Sequence, residues 1–249
     1  MQRWAGRVAL VTGASSGIGA AITKELVNKG LRVVGMARRV ENIEALSTSM
    51  HSAPGTLYPV KADLTIEKEV YSVFNWVKNN LGGIDILVNG AGSANGNSLI
   101  DGPVESWKNI LLLNTLGLSI CTKEAIHSMK ERGVDDGHII HINSIAGHSA
   151  PPTSTPLYMY ASSKAANLML TEGLRRELLQ MNSKIRITSI SPGIVRTEID
   201  SACGVTDPYE NNPSLDPQDV ADAVIYVLGT PSHVQVHELI LRPVGETMM

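Results

Sequence analysis

The sequence predicts an α/β fold: one domain on a doubly wound, mainly parallel seven-stranded sheet with helices on both faces. Three observations carry that expectation. Short apolar runs alternate with stretches of helical spacing along nearly the whole chain, and strand–helix alternation implies parallel strands joined by right-handed crossovers. Many of the runs are continuously apolar, as strands covered on both faces must be. A glycine cluster directly follows the first run, where the chain must turn from strand into helix. The length of 249 residues, 43 % of them hydrophobic, suits one large domain spanning 1–249 better than two small ones.

The elements then follow in order. Residues 7–12 form a strand that stops at Gly13. Residues 18–29 have Ile18, Ile22, Leu26 and Val27 at helical spacing, with Gly30 as the stop. A strand over 31–37, a charged and weaker helix over 40–50 and a strand over 56–61 come next. Residues 66–81 place Val70, Val73, Phe74 and Val77 on one helix face, and 84–88 is the fourth strand. Residues 104–132 read as one long helix that contains Gly117, and 137–143 is the fifth strand. Pro151, Pro152 and Pro156 make 148–157 a loop before a helix that ends at Leu179. A strand over 185–190 leads to the turn Ser191-Pro192-Gly193, and 197–217 is irregular and polar. A segment of that length in a compact domain suggests a functional lid or a disordered loop. A helix over 218–228 and a strand over 234–241 complete the pattern.

Composition excludes several classes. The net charge of −3 and a pI near 6.2 leave no basic field for nucleic acid or an anionic membrane. Cys121 and Cys203 make no disulfide framework, and no Cys/His cluster has metal-ligand spacing. No apolar run approaches the ~20 residues of a membrane span, and the polar start of the chain lacks a signal-peptide core. A cytoplasmic, metal-free protein with reduced thiols is the expectation.

Two local patterns carry chemistry. Gly13, Gly17 and Gly19, with Ser15, Ser16 and Ile18 between them, give G-x-x-x-G-x-G between a strand and a helix. Glycines permit a tight turn and close approach, and a helix N-terminus presents free N–H groups to a pyrophosphate. The second strand then decides which dinucleotide. An acidic residue at its end would bind ribose hydroxyls, but Arg38 and Arg39 stand there instead. A guanidinium suits a 2′-phosphate, which points to NADP(H); the plainer alternative is a solvated pair ending a strand. The other pattern is Tyr160 and Lys164, four apart on a helix and therefore on one face, a spacing Tyr158 does not share. An ammonium beside a phenol favours phenolate, so the pair is a candidate acid/base unit.

With these residues in hand, the chain resembles the short-chain dehydrogenase/reductase family over nearly its whole length. The matching segments are the 12–19 loop, Asp63-Leu64, Asn89-Gly90-Ala91-Gly92, Asn114, Ser144, the Tyr160/Lys164 pair, and Ser191-Pro192-Gly193 with Thr197. It is most similar to the animal branch with insect farnesol dehydrogenases and a 17β-hydroxysteroid/3-ketosteroid reductase. The resemblance implies a Rossmann fold in which Asp63 and Leu64 hold the adenine and Asn89, Gly90, Ala91 and Gly92 line the adenosine side. It implies that Asn114 supports a relay to Lys164, and that Ser144 holds the substrate carbonyl against Tyr160. Lys164 would also bind the nicotinamide ribose, and Pro192, Gly193, Ile194 and Thr197 the nicotinamide. One departure is the 15 residues between Ser144 and Tyr160, where the family often has about a dozen. His138, His141 and His148 are read as structural.

The function expected is NADP-dependent interconversion of a lipophilic alcohol and its ketone or aldehyde, with isoprenoid or steroid-like substrates favoured. The alternatives are a nucleotide-binding regulatory protein without catalysis, or an epimerase or dehydratase on the same fold. A homodimer or homotetramer is implied by the resemblance alone.

Overall fold

A computed structural model describes residues 1–152, 156–199 and 213–246. A 3₁₀ turn at Gln2–Trp4 precedes β1 (Val8–Thr12), α1 (Gly17–Asn28), β2 (Arg32–Ala37), α2 (Val40–Ser49), β3 (Thr56–Lys61), α3 (Glu67–Leu81) and β4 (Ile86–Asn89). Then come α4 (Val104–Leu111), a π-helical segment (Leu112–Gly117), α5 (Leu118–Glu131), β5 (His138–Ile142), a 3₁₀ turn (Ile145–Gly147), α6 (Tyr158–Gln180), β6 (Arg186–Pro192), α7 (Pro217–Gly229) and β7 (Glu238–Leu241). The strands form one seven-stranded sheet in the order β3-β2-β1-β4-β5-β6-β7, with every pairing parallel.

Alternate residues of each strand feed two cores. Ala9, Val11 and Val33 pack with Ile22 and Leu26 of α1 and Val220, Val224 and Val227 of α7. Val8, Leu10 and Val34 pack with Val70, Val73 and Val77 of α3 and Cys121, Ala125 and Met129 of α5. Helix ends follow their local chemistry. Gly82 takes a left-handed conformation, φ 85°, to stop α3. Asp216 and Asp219 form a reciprocal capping box, with Pro217 in the first turn of α7.

Two expected elements differ. The long helix over 104–132 is not one α-helix, because a π-helical stretch of six residues interrupts it at Asn114. The last strand begins at Glu238 and not at 234. The Val234 and Val236 carbonyls accept from the Arg186 guanidinium at 3.0 Å and the Thr188 hydroxyl at 2.7 Å, so side chains take the place of a ladder there. Most of the expected lid over 197–217, together with Cys203, lies outside the described residues. No helix among the described residues is long and apolar enough to cross a membrane.

Candidate active site

The strand order reverses between β1 and β4, which opens a crevice at their carboxyl ends. There the first glycine loop meets the loop after β4. Gly13 has φ 72°, and a Cβ on it would stand 2.8 Å from the Ala91 Cα. A Cβ on Gly19 would stand 2.2 Å from the Gly13 carbonyl oxygen. The loops are pinned by Thr12, whose hydroxyl accepts from the Gly90 and Ala91 N–H groups, both at 3.1 Å. The start of α1 at Gly17 then faces a cleft of about 560 Å³.

Nearly every site residue expected from sequence lines this cleft. On one side are Gly13, Ser15, Ser16, Gly17, Ile18, Gly19, Arg38, Arg39, Asp63, Leu64, Gly90, Ala91 and Gly92; on the other are Ser144, Tyr160, Lys164, Pro192, Gly193, Ile194 and Thr197. Asn89 is a correction. Its carboxamide does not line the cleft; it is 2 % exposed and donates to the Thr122 hydroxyl at 2.9 Å, between β4 and α5. It ends a strand, and the strand's alternation turns it into that layer. Asp63 accepts from the Thr65 N–H and hydroxyl through Oδ1, while Oδ2 lies 4.0 Å from Arg38.

Tyr160 and Lys164 are brought together on α6. Lys164 Nζ lies 5.6 Å from the Tyr160 ring centroid and donates to the Ile142 carbonyl at 2.9 Å. Burial lowers the Lys164 pKa to about 8. Ser144 caps the following 3₁₀ turn, its hydroxyl accepting from the Ala146 N–H at 3.1 Å. That turn sits on α6: a Cβ on Gly147 would lie 3.0 Å from the Lys164 backbone. His148, at the start of the long loop, contacts Glu238 at 2.8 Å, and Glu238 also accepts from the Ser191 hydroxyl. These contacts tie the start of that loop to β6 and β7.

Asn114 stands behind the cleft. Its Oδ1 accepts from the Ser93 N–H at 2.9 Å, and its Nδ2 donates to the Ser93 carbonyl at 2.9 Å and to the Ser163 hydroxyl at 3.0 Å. Ser163 in turn donates to the Tyr160 carbonyl at 2.6 Å. The Asn114 carbonyl, exposed by the π-helical register, accepts from Asn167 Nδ2 at 3.0 Å.

Three residues around the cleft make contacts that no local sequence pattern signals. His141 bridges the Thr171 hydroxyl at 2.9 Å and the Thr122 hydroxyl at 3.2 Å. Burial, and then the Lys164 charge, push its pKa down to about 3, so it is a neutral imidazole. Glu246 presses its carboxylate on Gly193, where a Cβ would meet Oε2 at 2.7 Å; it accepts from the Ile194 N–H at 3.3 Å and pairs with Arg242. Glu198 reaches Arg39 from the far side of the cleft. No cluster of groups suited to a metal ion occurs among the described residues.

The chemistry of the donor set fits a dinucleotide. A backbone cradle closed to a Cβ at Gly13 and Gly19, a helix N-terminus and two guanidiniums stand at one end, and Tyr160 with Lys164 at the other. The family model described as short chain dehydrogenase matches residues 7–206. The chain is 50 % identical to mouse "Dehydrogenase/reductase SDR family member 11", over 98 % of this chain and 96 % of that protein. It is 47 % identical to the "Farnesol dehydrogenase" of Aedes aegypti, over 99 % of each. An alcohol dehydrogenase structure from the archaeon Thermococcus sibiricus, complexed with 5-hydroxy-NADP, superposes with a TM-score of 0.86 at 26 % identity, covering 97 % of this chain and 98 % of that one.

Proposed function

We propose that this chain, which belongs to the short-chain dehydrogenase/reductase family, is an NADP(H)-dependent oxidoreductase that interconverts a lipophilic alcohol and its ketone or aldehyde. Oxidoreduction between an alcohol and a carbonyl is the family's chemistry. The cofactor preference, the substrate class and the residue roles are our reading. The observation that carries it is the cleft itself: Tyr160, Lys164 and Ser144 stand on one side of it and the glycine loop with Arg38 and Arg39 on the other.

In this reading the nicotinamide, when bound, supplies the hydride chemistry. Tyr160 moves the proton at the substrate oxygen: it donates in reduction and accepts in oxidation. Lys164 holds a positive charge beside the phenol ring, which favours the phenolate. The Ser144 hydroxyl orients the carbonyl oxygen. Asn114 clamps Ser93 and, through Ser163, the first turn of α6 that bears Tyr160. Pro192, Gly193, Ile194 and Thr197 form the nicotinamide wall, and Asp63 and Leu64 the adenine wall. A lipophilic substrate is supported by the apolar lining of Ala94, Leu113, Ile145, Leu157 and Ile199, and by the name of the mosquito relative. The substrate site belongs to the same domain as the cofactor site. Exposed Leu111, Leu112, Leu116, Met169 and Leu170 support a homodimer or homotetramer through α4, the π-helical segment and α6.

The test is Tyr160→Phe. Turnover of a farnesol and ketosteroid panel should fall by roughly 10²–10⁴-fold, while NADPH binding, followed by nicotinamide fluorescence, is retained. Turnover within a few-fold of wild type would refute the assignment.

A further inference from the structure

We propose that Glu198 is a specificity-determining residue: its carboxylate occupies Arg39 as an internal competitor, which a cofactor 2′-phosphate must displace. The inference rests on the NADP(H) reading above and deepens it. Arg39 Nη2 donates to Glu198 Oε2 at 2.7 Å and to the Ser16 hydroxyl at 2.8 Å. Ser16, Arg39 and Glu198 all line the cleft. A carboxylate from the segment after β6 therefore sits on a guanidinium at the end of β2, beside the phosphate loop. It is placed there because Thr197, its neighbour, packs on the same loop: a Cβ on Gly17 would meet the Thr197 methyl at 3.0 Å.

The two arginines are thus unequal. Arg38 has an ion contact with Asp63 at 4.0 Å and is 75 % exposed, so an arriving anion finds it loosely engaged. Arg39 is charge-neutralised by a close, charge-assisted hydrogen bond. The Arg39 hydrogen bond and charge, with the Ser16 hydroxyl, hold the Glu198 carboxyl below its ordinary range, so it is ionised at neutral pH. A phosphate dianion and a carboxylate compete for one guanidinium, and their like charges disfavour joint occupancy. A 2′-hydroxyl carries no charge and makes no such demand. Glu198 therefore penalises NADP(H) selectively, and moderates a preference that Arg38 and Arg39 create.

Because both side chains are half or more exposed, the expected effect is modest. Glu198→Gln should tighten NADPH binding by roughly two- to fivefold, with a smaller change for NADH. The gain should vanish in an Arg39→Ala background. The measurement is a binding titration of NADPH and NADH by nicotinamide fluorescence on wild type, Glu198→Gln, Arg39→Ala and the double variant. A parallel titration uses 2′,5′-ADP and 5′-AMP as probes, followed by thermal shift. An equal gain for both coenzymes, a gain that persists without Arg39, or no gain overturns the inference. Wild-type protein that binds NADH as tightly as NADPH overturns the cofactor reading itself, and this inference with it. A preference for NADPH in wild type, unmoved by Glu198→Gln, overturns the inference alone.

Discussion

At Lys164 an ammonium is enclosed with 5 % of its surface exposed, 2.9 Å from the Ile142 carbonyl. Burial brings its pKa from 10.5 to about 8, which is near the pH at which a proton relay must work. The same burial costs stability. The unfolded chain holds this proton up to about pH 10.5, and the folded chain releases it near 8. Between those values the unfolded state binds more protons, so stability rises with pH. Below pH 8 the burial penalty is present in full. Lys164→Met keeps the stem and removes the titration. The difference in unfolding free energy between wild type and Lys164→Met should therefore move in favour of wild type by roughly 2 kcal/mol from pH 7.5 to 9.5. Urea denaturation at the two pH values measures it, and a difference that is flat with pH would contradict the burial argument. Turnover should be lost in the variant at both values.

The π-helical segment between α4 and α5 shows how an element serves a residue. A regular α-helix would spend its carbonyls internally; here the Asn114 carbonyl is available to Asn167, and the Asn114 side chain faces the Ser93 backbone. Asn114→Ala leaves the N–H and C=O of Ser93 without that partner. Ser93 is half-buried and a hydrogen bond nets about 0.5–1.5 kcal/mol, so losing both should cost the variant about 1–2 kcal/mol in chemical denaturation. Its substrate KM should also rise, because Ser93 and Ala94 line the cleft; an unchanged denaturation midpoint would refute the clamp. The sequence announces Asn114 only as a polar residue inside a helical pattern, since the register slip depends on contacts with Ser93, Ser163 and Asn167. By contrast, the glycine loop and the Tyr160/Lys164 pair are legible because their physics is local: a turn, a helix N-terminus and one helical turn's spacing. His141 meets Thr171 across 30 positions, Ile194 meets Glu246 across 52, and Arg39 meets Glu198 across 159. No periodicity encodes such pairs. The shortened β7 has the same cause, because Arg186 and Thr188 side chains capture carbonyls 48 residues away.

Across the whole molecule, the two edges of the parallel sheet divide the work. The carboxyl edge carries the glycine loop, Ser144 and the Pro192 turn, where loops can vary around a fixed frame. The amino edge carries buried polar groups that hold the frame. Arg186, at the start of β6, donates to the Thr230 hydroxyl and Val234 carbonyl. His138, at the start of β5, meets the Thr188 hydroxyl at 2.9 Å, and burial keeps it neutral. Asp85 is the junction of this edge. Its carboxylate accepts from the Val8 N–H at 2.8 Å, Arg7 at 3.1 Å and Arg132 at 2.8 Å, and so joins β1, β4 and the end of α5. Its side chain is 5 % exposed, so truncation orphans the buried Val8 N–H and removes one acceptor from each arginine, Arg7 keeping Asp136 and Arg132 the Ile84 carbonyl. Asp85→Ala should lower the unfolding free energy by roughly 2 kcal/mol. If the edges are separable, NADPH affinity and kcat/KM of the folded variant, measured well below its melting temperature, should match wild type. A drop in NADPH affinity that parallels the loss of stability would mean that the amino edge also sets the geometry of the glycine loop, through β1.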